Sequence, residues 1–354
     1  MTLNSVEQTL INLLEIDSVT AQEQAISNFV ALKLDDLSGF QRLKTGLCHL
    51  YRTPHDPQKQ SIAFYGHLDT VNNQQDKAPY YTDDFIFGCG ASDMKGGLAI
   101  MMELMRYYSK QPVCKYNLIF VFYDQEEGPY NDNGLGPVLE EHSFLRNSDL
   151  AFILEPTNNV IQVGCLGALH AEVNFPGASA HSARPWEGEN AIHKAGTLLT
   201  KLGNLARKEV DFQGLKYYEV LSATLAQGGI SRNSIPASFT LNLNYRFAPG
   251  KSIAQGKEDV LKIVDSQAEV TFIDECPSAD VVVGNPILDA FQKRFDLVSE
   301  PKQAWTDIAR LSLYKIPAVN CGPGDPSQAH QKNEWIPRAG LLQGLQFYKE
   351  FLFD

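Results

Sequence analysis

The chain has 354 residues, 44% of them hydrophobic and 20% charged, with a formal net charge of -12. That length is enough for two domains, and an acidic chain with no basic run excludes nucleic acid and anionic membrane as expected partners. The start, Met1-Thr2-Leu3-Asn4-Ser5, has neither a basic run nor an apolar core, and no apolar run approaches the roughly 18 residues of a membrane span, so a cytoplasmic protein is expected. Six cysteines at 48, 89, 114, 165, 276 and 321 stand singly without a CxxC pair, as free thiols in a reducing compartment would.

In chain order, Leu3, Val6, Leu10, Leu13 and Leu14 fall at helical spacing, and so do Ile26, Phe29, Val30, Leu34 and Leu37. Ser61 to Tyr65 is a short apolar run that ends at a Gly66-His67 turn. Lys95 to Tyr108 reads as a helix that buries Leu98, Met101, Met102 and Met105. Leu118 to Tyr123 and Leu150 to Leu154 are too short for helices and are followed at once by acids, which marks buried strands whose C-terminal ends carry chemistry. After Gly164 the pattern changes to one-sided alternation, as in Leu169, Ala171, Val173 and Phe175. Ala191 to Lys208 reads as a helix and Tyr218 to Ala226 as a strand. Phe239 to Phe247 alternates strictly, Ile253 to Val264 reads as a helix and Glu269 to Ile273 as a strand. The expected fold is therefore α/β: a mixed, largely parallel central sheet flanked by helices, formed by residues 1–164 and 276–354, with an inserted α+β unit of order βαββαβ at 165–275.

Two histidines and five acids, far apart in the chain, can be read as one two-metal site. They are His67 and Asp69 in Gly66-His67-Leu68-Asp69-Thr70, Asp93 in Ser92-Asp93-Met94-Lys95-Gly96-Gly97, the pair Glu126-Glu127, Glu155 before Pro156, and His330 near the C-terminus. Imidazole and carboxylate donors without thiolates suit zinc or cobalt. A glutamate beside the metals that is not itself a ligand suits a base for an attacking water, so the chain reads as a hydrolase. The competing reading of any one piece is bland, because a single HxD or Glu-Glu pair is commonly structural or solvated. A Glu-Glu directly after a strand of core residues is harder to leave unpartnered. His49, His55, His142, His170 and His193 carry no such context and read as structural.

These segments resemble the di-zinc amidohydrolases and peptidases that include aminoacylase, carboxypeptidase G, acetylornithine deacetylase and succinyl-diaminopimelate desuccinylase. The similarity runs through nearly the whole chain in order. Glu126-Glu127 with Asn133-Gly134-Leu135-Gly136, Ala180-His181-Ser182-Ala183-Arg184, Asn244-Tyr245-Arg246-Phe247-Ala248-Pro249, Trp305-Thr306-Asp307 and Asn320-Cys321-Gly322-Pro323-Gly324-Asp325-Pro326 are similar to desuccinylases of the actinobacterial type.

The resemblance implies two zinc ions per subunit, with cobalt able to substitute. His67 and Glu155 would bind one ion, Glu127 and His330 the other, and Asp93 would bridge them through a turn with a cis Asp93–Met94 peptide. Asp69 would support His67 and Glu126 would be the general base. It further implies that the inserted unit is a lid and dimerisation domain of a homodimer, in which His181 and Asn233 reach the partner's site. Arg246 would clamp a substrate carboxylate and Thr306 would contact substrate from the catalytic domain. The expected substrate is a small N-acyl amino acid, foremost N-succinyl-L,L-diaminopimelate. The alternatives are another N-acyl amino acid such as acetylornithine, and a metal-bearing binding homologue without turnover, against which the intact Glu126 speaks. Arg184 and Arg232 would add positive charge nearby without a role that the pattern decides.

Overall fold

The computed structural model describes residues 3–72, 75–264, 266 and 268–354, so the first two residues of the start lie outside the described residues. Two compact units are present. The first is Met1–Val163 with Val282–Glu300 and Arg310–Asp354, and the second is Gly164–Val281 with Pro301–Ala309. Residues 276–281 and 301–309, which the sequence pattern assigned to the first domain, pack with the second unit, so Thr306 belongs to the inserted body. The pattern could not show this, because those contacts are made by residues far apart in sequence.

An eight-stranded sheet lies mostly in the first unit. Its order is Gln41–Thr45, Cys48–Arg52, Asn117–Tyr123, Ser61–His67, Leu150–Pro156, Ala318–Gly322, Ile161–Cys165 and Ser299–Lys302. Asn117–Tyr123, Ser61–His67, Leu150–Pro156 and Ala318–Gly322 run parallel. Every residue of these four strands is buried, which is why they read as continuous apolar runs rather than alternating ones. Helices Ser5–Leu14, Gly96–Lys110 and Arg338–Phe353 pack on one another. The rings of Phe64, Phe120, Phe152, Phe291 and Tyr348 pack against one another in the core, stacked in the pairs Phe64–Phe120, Phe64–Phe152 and Phe291–Tyr348 and edge to face in Phe152–Tyr348. The Gln41–Arg52 hairpin was not anticipated, since its first strand is half exposed and mostly polar.

The second unit is a five-stranded antiparallel sheet of order Lys208–Phe212, Leu215–Gly228, Ser238–Phe247, Gly167–Pro176 and Glu269–Cys276. Leu169, Val173, Phe175, Leu241, Leu243 and Phe247 form its core with Leu198 and Val260 of the helices. The helix expected to reach Lys208 stops at Gly203, and Lys208–Phe212 is instead a strand. Gln213 and Gly214 both adopt positive φ, 55° and 88°. This two-residue turn matches strand twist and closes Phe212 against Leu215. All described cysteines are free, and no helix among the described residues is long and apolar enough to cross a membrane.

Candidate metal centre

The C-terminal ends of the parallel strands deliver the polar residues. Ser61–His67 ends in His67, Asn117–Tyr123 runs into the Glu126–Glu127 turn, and Leu150–Pro156 carries Glu155. Close backbone approach fixes this end of the sheet: a Cβ added to Gly97 or Gly322 would overlap the Leu154 carbonyl oxygen. Asp93 lies in a turn opened by Gly90 at φ 82°, and Asp93–Met94 is cis.

Three groups of side chains bring one ligand atom each within 4.8 Å of the others: His67–Asp93–Glu155, Asp93–Glu127–His330 and His67–Glu126–Glu127. The first two share Asp93. His67 Nε2 is 3.2 Å from Asp93 Oδ1 and 3.7 Å from Glu155 Oε1. His330 Nε2 is 3.0 Å from Glu127 Oε2 and 3.9 Å from Asp93 Oδ2. The donors are imidazole nitrogen and carboxylate oxygen, a set that fits zinc and its neighbours.

Asp69 lies behind this centre, fully buried. Its carboxylate is 3.4 Å from His67 Nδ1, accepts the N–H groups of Glu126 and Glu127 at 3.0 Å each, and accepts the Thr20 hydroxyl at 3.0 Å. Burial pushes Asp69 up, but His67 and those N–H donors hold it below its ordinary value. Burial likewise works against a charged His67, yet Asp69, Asp93 and Glu126 hold its imidazole well above the ordinary value. Glu127 raises His330 to about 9, against partial burial. The acids thus draw positive charge onto both histidines. Bound cations would replace those protons, as metal binding to such ligands does.

Sequence reading missed Glu334. Burial pushes this carboxyl up to about 7. It accepts backbone N–H groups of Gly90, Ser92 and Asp93 at 2.7, 2.7 and 2.9 Å. No local signal marks it, because its partners are backbone groups about 240 residues earlier in the chain.

The remaining expected residues lie in the second unit, in two places. His181 and Asn233 sit on paired loops: Ser182 donates to the Asn233 carbonyl at 3.0 Å, Ile235 donates to the Ala180 carbonyl at 2.8 Å, and His181 bridges Ser234. The Ala183 N–H donates to His181 Nδ1 at 3.1 Å, so the neutral ring carries its hydrogen on Nε2. Arg246 lies at the other end of the sheet, opposite Ala168. Burial lowers the pKa of its guanidinium, with Cys276, Asp274 and Cys165 opposing. Buried Thr306 accepts from Cys165 Sγ through its carbonyl at 3.6 Å. The strand between the two places, Gly167–Pro176, has 10 residues and spans about 30 Å.

The profile of peptidase family M20/M25/M40 matches residues 63–354. A protein of Mycobacterium tuberculosis, provisionally named succinyl-diaminopimelate desuccinylase, is 35% identical over 344 residues, 96% of each chain. The succinyl-diaminopimelate desuccinylase of Corynebacterium glutamicum is 32% identical over 352 residues, 97% of this chain and 94% of its own. An M20 family metallo-carboxypeptidase of Sulfolobus solfataricus has the same fold, with a TM-score of 0.80 at 18% identity across 99% of this chain and 98% of that one. A profile match from the His67 strand to the C-terminus, and relatives alike along the full length, agree with candidate ligand groups gathered beside the ends of parallel strands: the chain belongs to peptidase family M20/M25/M40 and is a metal-dependent amidohydrolase.

Proposed function

We propose that this chain hydrolyses the amide bond of an N-acyl amino acid, foremost N-succinyl-L,L-diaminopimelate, to give succinate and L,L-diaminopimelate. The observation that carries the chemistry is the convergence of two ligand groups on one shared carboxylate, Asp93. The choice of substrate rests on the full-length likeness to proteins named for that reaction.

His67, Asp93 and Glu155 would hold one zinc, and Asp93, Glu127 and His330 the other, with cobalt as a substitute. When bound, the ions would polarise the amide carbonyl and make water a stronger nucleophile. Glu126 takes the proton of the attacking water and returns it to the departing amine as the C–N bond breaks. Asp69 keeps His67 Nε2 turned to the ions by occupying the Nδ1 side. Arg246 holds a substrate carboxylate through its planar fork, and Thr306 contacts the same substrate. His181 donates its Nε2 hydrogen to the developing oxyanion, and Asn233, on the paired loop, contacts the same substrate.

His181 and Asn233 lie about one strand length from Arg246. One chain's second unit therefore does not bring His181 and Arg246 to a single small substrate, whereas a homodimer in which each copy lends His181 to the other would. The edge that supports such a dimer is Leu215–Gly228. Beyond Glu219, among the described residues, its outer side pairs with no strand, and Leu225 and Ile230 are exposed nearby. An open edge of this kind pairs readily with a second copy. The second unit would then act as lid and dimerisation domain.

The test is a kinetic panel of N-succinyl-L,L-diaminopimelate, N-acetylornithine and N-acetyl-lysine with added zinc or cobalt. The highest kcat/KM on the succinyl substrate supports the reading. A preference for N-acetylornithine moves the chain to the deacetylases, and no turnover on any amide, with metals bound, makes it a binding homologue.

A further inference from the structure

We infer that Glu334 is a positioning residue for the metal centre: by gathering the N–H groups of the 90–93 turn it sets the aim of Asp93 and, through it, the affinity for the second ion. This rests on the reading of Asp93 as the shared ligand. Glu334 is 1% exposed. Its Oε1 accepts the N–H groups of Ser92 and Asp93, and its Oε2 that of Gly90. Asp93 and Met94 depart from helical geometry, at φ/ψ of -118°/93° and -132°/36°, so their backbone lacks the regular helical ladder that would otherwise fix the turn. Three backbone donors of one turn thus converge on the two oxygens of a single side chain.

The same segment is fastened to the turn elsewhere. The Glu334 carbonyl accepts the Gly88 N–H at 3.0 Å. Ser92 Oγ donates to the Trp335 carbonyl at 2.8 Å, and Trp335–Pro337 pairs with Phe85–Phe87. His330 stands four residues before Glu334. The two ligands that face the second ion besides Glu127, namely Asp93 and His330, are therefore set by one short stretch of chain. A shift of Glu334 changes their separation directly. Gln cannot replace Glu here without loss. Its carbonyl oxygen can take the Ser92 and Asp93 donors, but its amide nitrogen would then face the Gly90 N–H, donor against donor.

The test is titration of metal-free wild type, Glu334→Gln and Glu334→Asp with zinc by calorimetry, and with cobalt by visible absorption, which reports coordination geometry. The expected result for Glu334→Gln is a second-ion affinity lower by about 10- to 100-fold, the usual effect of losing a group that orients a ligand, with a changed cobalt spectrum. Glu334→Asp, which keeps both carboxyl oxygens on a shorter side chain, should fall between Gln and wild type. Should Glu334→Gln not fold, the Asp variant is read against the same criteria. A folded variant that binds both ions with wild-type affinity and spectrum overturns the inference. Wild type that binds no ion at all overturns the reading of the centre itself, which is a separate failure.

Discussion

The Asp69 carboxylate stands 3.4 Å from Nδ1 of His67, next to the carbonyl of the same residue at 3.0 Å. The same carboxylate receives the Glu126 and Glu127 N–H groups, so one buried acid aims a candidate ligand from one strand and a two-acid turn from the next. Asp69→Asn should therefore do more than weaken a single contact. It should lower metal affinity by about 10- to 100-fold and reduce kcat as well, because the Glu126 turn loses an acceptor. Calorimetric titration of metal into the metal-free variant, beside turnover of the loaded one, checks both effects. Unchanged affinity would remove Asp69 from the design.

Glu126 and Glu127 are adjacent, and Glu126 also falls in a group with His67 and Glu127. If Glu126 is the base, Glu126→Gln keeps two ions and lowers kcat by about 10²–10⁴. Elemental analysis and turnover on the same sample separate the roles. Loss of an ion would make Glu126 a ligand.

If His181 serves the partner's site, two inactive variants should complement each other. His181→Ala alone should cost about 10²–10³ in kcat, the effect of removing one oxyanion donor. In a mixed dimer with Glu126→Gln, one site carries both defects and the other neither, so activity should return partway. Heterodimers that form yet stay inactive would place His181 within its own chain's chemistry or outside it.

A further prediction concerns acid stability. His49 is buried, with Nε2 2.8 Å from Ser27 Oγ. Burial, with help from Arg42 and Lys44, lowers it to about 4. The folded chain keeps His49 neutral while the unfolded chain takes up a proton near the usual value of about 6.5. Its contribution is therefore complete above that value and is lost as pH falls towards about 4. Between pH 7 and pH 5 this costs about 2 kcal/mol. Urea unfolding of wild type and His49→Gln at both pH values checks it. Equal pH dependence of the two proteins would refute it.

The legible parts of the sequence were those where one physical rule acts locally. Runs such as Leu118 to Tyr123 followed by acids announce both a buried parallel strand and a site at its end. The alternation of Phe239 to Phe247 announces a one-sided sheet. The Lys208–Phe212 strand was hidden, because residues that could extend a helix preceded a turn whose geometry depends on Gln213 as well as Gly214. Thr306 was placed in the wrong body because a short segment can pack with either neighbour until its long-range contacts are known. Glu334 was missed because it acts on backbone N–H groups, which have no letter in the sequence.

Gly97 and Gly322 close on the Leu154 carbonyl from a helix and from a neighbouring strand, one residue before Glu155. The centre is thus bounded by bare main chain on two sides, and its tolerance is measured in single methyl groups. Inactivating changes in this protein need not touch a charge or a ligand: an alanine at either glycine would displace a carboxylate that it never meets. A natural variant harmful at such a position would look conservative in chemistry and would be severe only in volume.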